Sequence, residues 1–66
     1  MRTLRKSKGL SLEAVAFLAD VDPATVSRVE RGLSEPRRGT VVALARALGM
    51  SARRMAALIE ADGEDG

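Results

Sequence analysis

The sequence predicts an all-α domain of five short helices, and three observations carry that expectation. Glycines and prolines divide the chain into pieces of roughly 8 to 11 residues, a common helix length. No stretch alternates apolar with polar residues, and no β-branched or aromatic run is bounded by hairpin turns. Apolar residues instead recur three, four and seven apart, as in Val41, Leu44, Ala45 and Leu48.

Each helix has its own boundary signals. Helix 1 is expected from about Arg2 to Lys8, with basic residues in its last turn facing the negative end of the dipole and Gly9 able to take a left-handed stop. Helix 2 starts at Ser11, a good N-cap with Glu13 in the first turn, runs through Ala19 and is broken by Asp20. Asp22 followed by Pro23 is the clearest start in the chain. The carboxylate accepts from free amides, and proline at the first helical position loses no hydrogen bond. Helix 3 should end at Gly32, and Leu33 to Gly39 then have the composition of an exposed loop. Helix 4 is expected over about Thr40 to Leu48, with Gly49 as its stop. Ser51 caps helix 5, whose stripe is Met55, Leu58 and Ile59. Residues 1–61 are thus expected to form one domain and 62–66 an acidic flexible tail.

Composition narrows the function. Sixty-six residues suffice for one domain with a small core. Histidine and cysteine are absent, which removes the usual zinc ligands, the thiol nucleophile, the commonest general base and every disulfide. Neither an enzyme, a metal site nor a cofactor is expected. No apolar run approaches the roughly 20 residues that span a bilayer, nor is there a signal sequence, so the chain reads as cytoplasmic with no membrane partner. The formal charge of +2 conceals an asymmetry: residues 1–54 carry all 11 lysines and arginines against five acids, a formal +6, while 55–66 carry four acids. A basic domain favours a polyanion. With Phe17 as its single aromatic residue it cannot build the stacking platforms of many RNA and single-strand binders, which leaves double-stranded DNA as the better candidate.

Helices 2 and 3 are joined by only Asp20 to Asp22, which suits two helices crossing steeply, as in a helix-turn-helix. Ala16 lets the backbones approach, and Asp20 tolerates the left-handed conformation a tight turn can require. At 100° per residue, Val26 and Val29 form the core face of helix 3; Ala24, Thr25 and Arg28 share another face, flanked by Ser27 and Arg31. That second face fits a major groove about 12 Å wide, where Arg28 can donate to guanine O6 and N7 and Thr25 and Ala24 can touch a thymine methyl.

These residues resemble the lambda-repressor-like family, of the Cro and repressor type, over about residues 2–59. The likeness is carried by LRKSKGLS at 4–11, VA at 15 and 16, VDPATVSRVERG at 21–32, Pro36 and ALG at 47–49. It implies a compact five-helix domain whose helix 3 lies in the major groove while helix 2 crosses the backbone above it. It also implies an internal ion pair between Arg5 and Glu30. On this reading Pro23, Ala24, Thr25 and Arg28 face bases, while Ser11, Ser27, Arg31, Ser34, Arg37 and Arg38 meet phosphates.

The chain departs from the family pattern at three places. Leu12 replaces the usual glutamine, and Asp20 replaces the turn glycine. Phe17 and Leu18 stand where polar residues are usual, so either they pack against helix 1 or helix 5, or they belong to a protein-binding patch. The stripe Met55, Leu58 and Ile59 is a candidate dimer surface, since two modules related by a two-fold axis read a palindrome. The expected function is a sequence-specific transcription regulator, a repressor acting by promoter occupancy and homodimeric at least on DNA. The alternative is a protein-interaction module, such as an antitoxin or regulatory subunit that holds a partner through helix 2 or helix 5.

Overall fold

The computed structural model describes the backbone of residues 1–65 and the side chains of residues 1–60. Its helices are α1 (Arg2–Ser7), α2 (Leu12–Ala19), α3 (Pro23–Glu30), α4 (Arg38–Ala47) and α5 (Ala52–Asp65), with no strand among the described residues. The segment 62–66, expected as an acidic tail, falls outside the residues whose side chains are described.

Local chemistry accounts for most of the boundaries. Ser11 Oγ accepts from the Ala14 amide at 3.0 Å, Asp22 Oδ1 from the Ala24 amide at 3.1 Å and Ser51 Oγ from the Arg54 amide at 3.2 Å. Each satisfies one of the amides that a helix start leaves without an internal acceptor. Four helices then close alike. Gly9, Asp20, Gly32 and Gly49 adopt positive φ, and the next residue donates its amide to the carbonyl five positions back: Leu10 to Arg5, Val21 to Ala16, Leu33 to Arg28 and Met50 to Ala45. This left-handed closure uses the carbonyls that a helix end leaves free. Leu10, Val21 and Met50 pack half-buried against the core, whereas Leu33 stays exposed.

The start of α4 differs from expectation by two residues. Val41 donates to the Arg37 carbonyl at 3.0 Å, so Arg38 and Gly39 form the first turn and are not loop. No side chain caps this end. A helix start without a capping side chain has no local signature, and the glycine concealed it further. A Cβ at Gly39 would meet nothing within 4 Å, and its φ is not positive. Gly39→Ala should therefore stabilise the domain by about 0.5–1 kcal/mol by restricting the unfolded chain. Thermal unfolding should show a melting temperature about 2–8 °C higher; an unchanged or lower value would mean that Gly39 is needed for a conformation other than this helical one.

The core is built from Met1, Val15, Ala16, Ala19, Val26, Val29, Leu44, Ala45, Leu48 and Met55. α4 lies between α2 and α5, and α3 packs on both α2 and α5. Small Ala16 and Ala19 let α2 and its neighbours approach closely. Two expectations are corrected here. Met55, placed in a candidate interface, is fully buried, because the arc of α5 that carries it packs inward; Leu58 and Ile59 are half-buried. Phe17 and Leu18 do not pack against α1 or α5: they are 85% and 55% exposed, since Val15, Ala16 and Ala19 already form the inward arc of α2.

Candidate nucleic-acid interface

The face of α3 away from the core is positioned by three features. Asp20, with φ 56° and ψ 45°, ends α2 in a left-handed turn, and the Val21 amide closes it on the Ala16 carbonyl at 2.9 Å. Two residues later Asp22 caps α3, with Pro23 in its first turn. Val26 and Val29 then anchor the helix by full burial, which turns Pro23, Ala24 and Arg28 outward to exposed positions and leaves Thr25 and Ser27 half-buried beside them. Aspartate is one of the few residues other than glycine that visits this region readily, so the turn forms without the usual glycine.

A buried ion pair holds the far end of α3. Arg5 Nε donates to Glu30 Oε2 at 2.6 Å and Nη2 to Oε1 at 3.2 Å, while Nη1 donates to the Leu10 carbonyl at 2.8 Å. The two side chains are only 8% and 5% exposed. One guanidinium thus ties α1, the last residue of α3 and the residue preceding the α2 N-cap into a single body. The forked geometry uses all three nitrogens, which an ammonium group could not do. Glu30 also stabilises the charged form of the Met1 ammonium, but burial of that group outweighs it and holds its pKa below the usual α-amino value.

Around the exposed face of α3 lie the other residues expected to meet DNA. Ser11, Arg31, Ser34, Arg37 and Arg38 are all exposed. Among the described residues, no hydrogen bond or ion pair occupies the side chains of Arg28, Arg31, Arg37 or Arg38. Each guanidinium is free to meet an anion. Arg38 sits in the first turn of α4, where the positive end of the helix dipole adds to its charge. Leu12 is half-buried against the core, so the position at which the family pattern has glutamine serves packing here.

Leu33 was legible only as loop. Its amide donates to the Arg28 carbonyl at 2.9 Å, which sets an apolar side chain, 63% exposed, beside the turn that carries Arg28. The available signal was an apolar residue directly after a helix-stop glycine, a position whose side chain usually tucks against the helix it ends. Among the described residues no group of three or more Asp or Glu is placed to hold a metal ion, and no helix is long and apolar enough to cross a membrane.

A capped helix laid across a second by a three-residue turn, with small residues and an exposed arginine on its outer face, defines a helix-turn-helix domain. The family model described as Helix-turn-helix matches residues 1–55, and the chain belongs to that family, the lambda-repressor-like type of Cro and C1 proteins. Its class is therefore that of DNA-binding transcription regulators. No curated protein sequence matches the chain, and no solved structure matches it.

Proposed function

We propose that this chain is a sequence-specific repressor that acts by occupying a promoter in double-stranded DNA, as a homodimer when bound. The observation that supports this most directly is Arg28: exposed, unengaged and projecting from the outer face of a helix held at both ends. In the major groove it donates two hydrogen bonds to one guanine, worth about 1–3 kcal/mol of discrimination. Pro23, Ala24 and Thr25 line the start of the same face and supply apolar contact to thymine methyls. Ser11, Ser27, Arg31, Ser34, Arg37 and Arg38 hold the phosphates, which sets register without specifying sequence. Residues 1–61 act as the working domain.

Selection from a randomised duplex library at several salt concentrations tests the proposal. One enriched motif should emerge, and Arg28→Ala should lose its preferred guanine while the salt dependence persists at a slope near 0.9 per phosphate contact. An inverted repeat in the motif supports the dimer. Weak binding without enrichment would reduce the DNA role to nonspecific electrostatics. The second reading, a protein-interaction module such as an antitoxin or regulatory subunit, draws on the exposure of Phe17 and Leu18; burial of Met55 removes part of its support at α5.

A further inference from the structure

The outer face of α2 carries a feature that DNA recognition does not use. Val15, Ala16 and Ala19 fill the inner arc of this helix, with Leu12 half-buried beside them. Opposite them lie Phe17 and Leu18, 85% and 55% exposed, next to half-buried Ala14. Neither large side chain stabilises the domain by burial, and an exposed phenyl group is unfavourable in water.

Charge around this face runs against the rest of the chain. Residues 9–27 contain Glu13, Asp20 and Asp22 and no lysine or arginine, although 1–54 as a whole are strongly basic. Asp22 is used as the cap of α3. Glu13 and Asp20 are exposed, and their carboxylates make no hydrogen bond or ion pair among the described residues. Glu13 precedes Phe17 by one turn of α2, and Asp20 follows it in the left-handed turn that ends the helix, so exposed carboxylates lie before and after the phenyl group along the chain.

We propose that this face is a docking surface for a basic amphipathic helix of a protein partner. The occupant's chemistry follows from complementarity: apolar side chains to cover Phe17 and Leu18, and cations about two turns apart to meet Glu13 and Asp20. DNA is excluded from this face because its phosphates would be repelled by both carboxylates. A second copy fits poorly, because two-fold pairing of identical faces sets carboxylate against carboxylate with no cation between. A helix of the partner therefore lies along α2 while the arginine-bearing face of α3 stays open.

The test titrates the isotopically labelled protein with two designed helical peptides. One carries leucines at i+3 and i+4 between lysines at i and i+7; in the other, glutamates replace the lysines. The lysine peptide should shift amide resonances of residues 13–21, and the glutamate peptide should not. Phe17→Ala should weaken the lysine peptide at least tenfold with an unchanged melting temperature, because the ring is exposed. Glu13→Lys should weaken the lysine peptide, and affinity should return when the peptide's facing lysine becomes glutamate. The proposal is overturned if neither peptide binds, if shifts fall outside α2, or if Phe17→Ala binds as tightly as the parent. It is also overturned if the protein alone forms a dimer that Phe17→Ala abolishes, since a second copy would then be the occupant.

Discussion

Glu30→Gln is expected to lower the melting temperature by roughly 15–30 °C, the largest effect of any single polar substitution in this domain. The carboxylate neutralises a guanidinium that is 8% exposed, and glutamine would leave that charge buried without a counter-ion. Removing one partner of such a pair costs about 3–5 kcal/mol, because the remaining charge has been taken from water and receives nothing in exchange. A domain of 66 residues has on the order of 3–10 kcal/mol in total, so the variant should be partly unfolded at 25 °C. Burial also means that salt will screen the pair only weakly.

Replacing both residues separates stability from positioning. Arg5→Met combined with Glu30→Met removes the charges together, and such replacements are often neutral or stabilising. The Leu10 carbonyl would still lose its donor, and nothing would tie the end of α3 to the residue before Ser11. The double variant should therefore fold close to the parent temperature and bind DNA with reduced sequence discrimination. Circular dichroism melts check the first statement, and duplex selection checks the second. A Glu30→Gln variant that melts within a few degrees of the parent would show that water reaches Arg5 and that the pair is less buried than described.

Met55→Ala is expected to cost about 2–5 kcal/mol, enough to unfold much of the population. Met55 is fully buried in the core where α5 packs on α3 and α4, and alanine would leave a cavity that these helices cannot close without shifting toward one another and disturbing their other contacts. The loss should be independent of protein concentration, because the contacts lie within one chain. Unfolding followed at two concentrations a hundredfold apart makes the measurement. A loss seen only at the higher concentration would return Met55 to an intermolecular interface.

These two substitutions mark where sequence reading reaches its limit. Both residues stood out in the sequence, Met55 through the stripe it forms with Leu58 and Ile59. That stripe establishes that one face of α5 is apolar, yet periodicity carries no information about what the face meets. Arg5 and Glu30 lie 25 residues apart, and no local pattern joins them; their pairing came from resemblance alone.

Boundaries are legible wherever the physics is local. A capping hydroxyl or carboxylate acts on an amide two or three residues away, and a left-handed residue closes a carbonyl within the same turn, so Ser11, Asp20, Asp22, Gly32, Gly49 and Ser51 announce themselves in the chain. The start of α4 lacks such a side chain and was placed two residues late. The sequence by itself therefore determined the five helices, the turn between α2 and α3 and the outward set of α3 residues, because each depends on neighbours within about one turn. Only the tertiary structure decided that Phe17 and Leu18 face solvent while Met55 faces inward. Burial is settled by which arc of each helix reaches the small core, and in α2 that arc is already formed by Val15, Ala16 and Ala19.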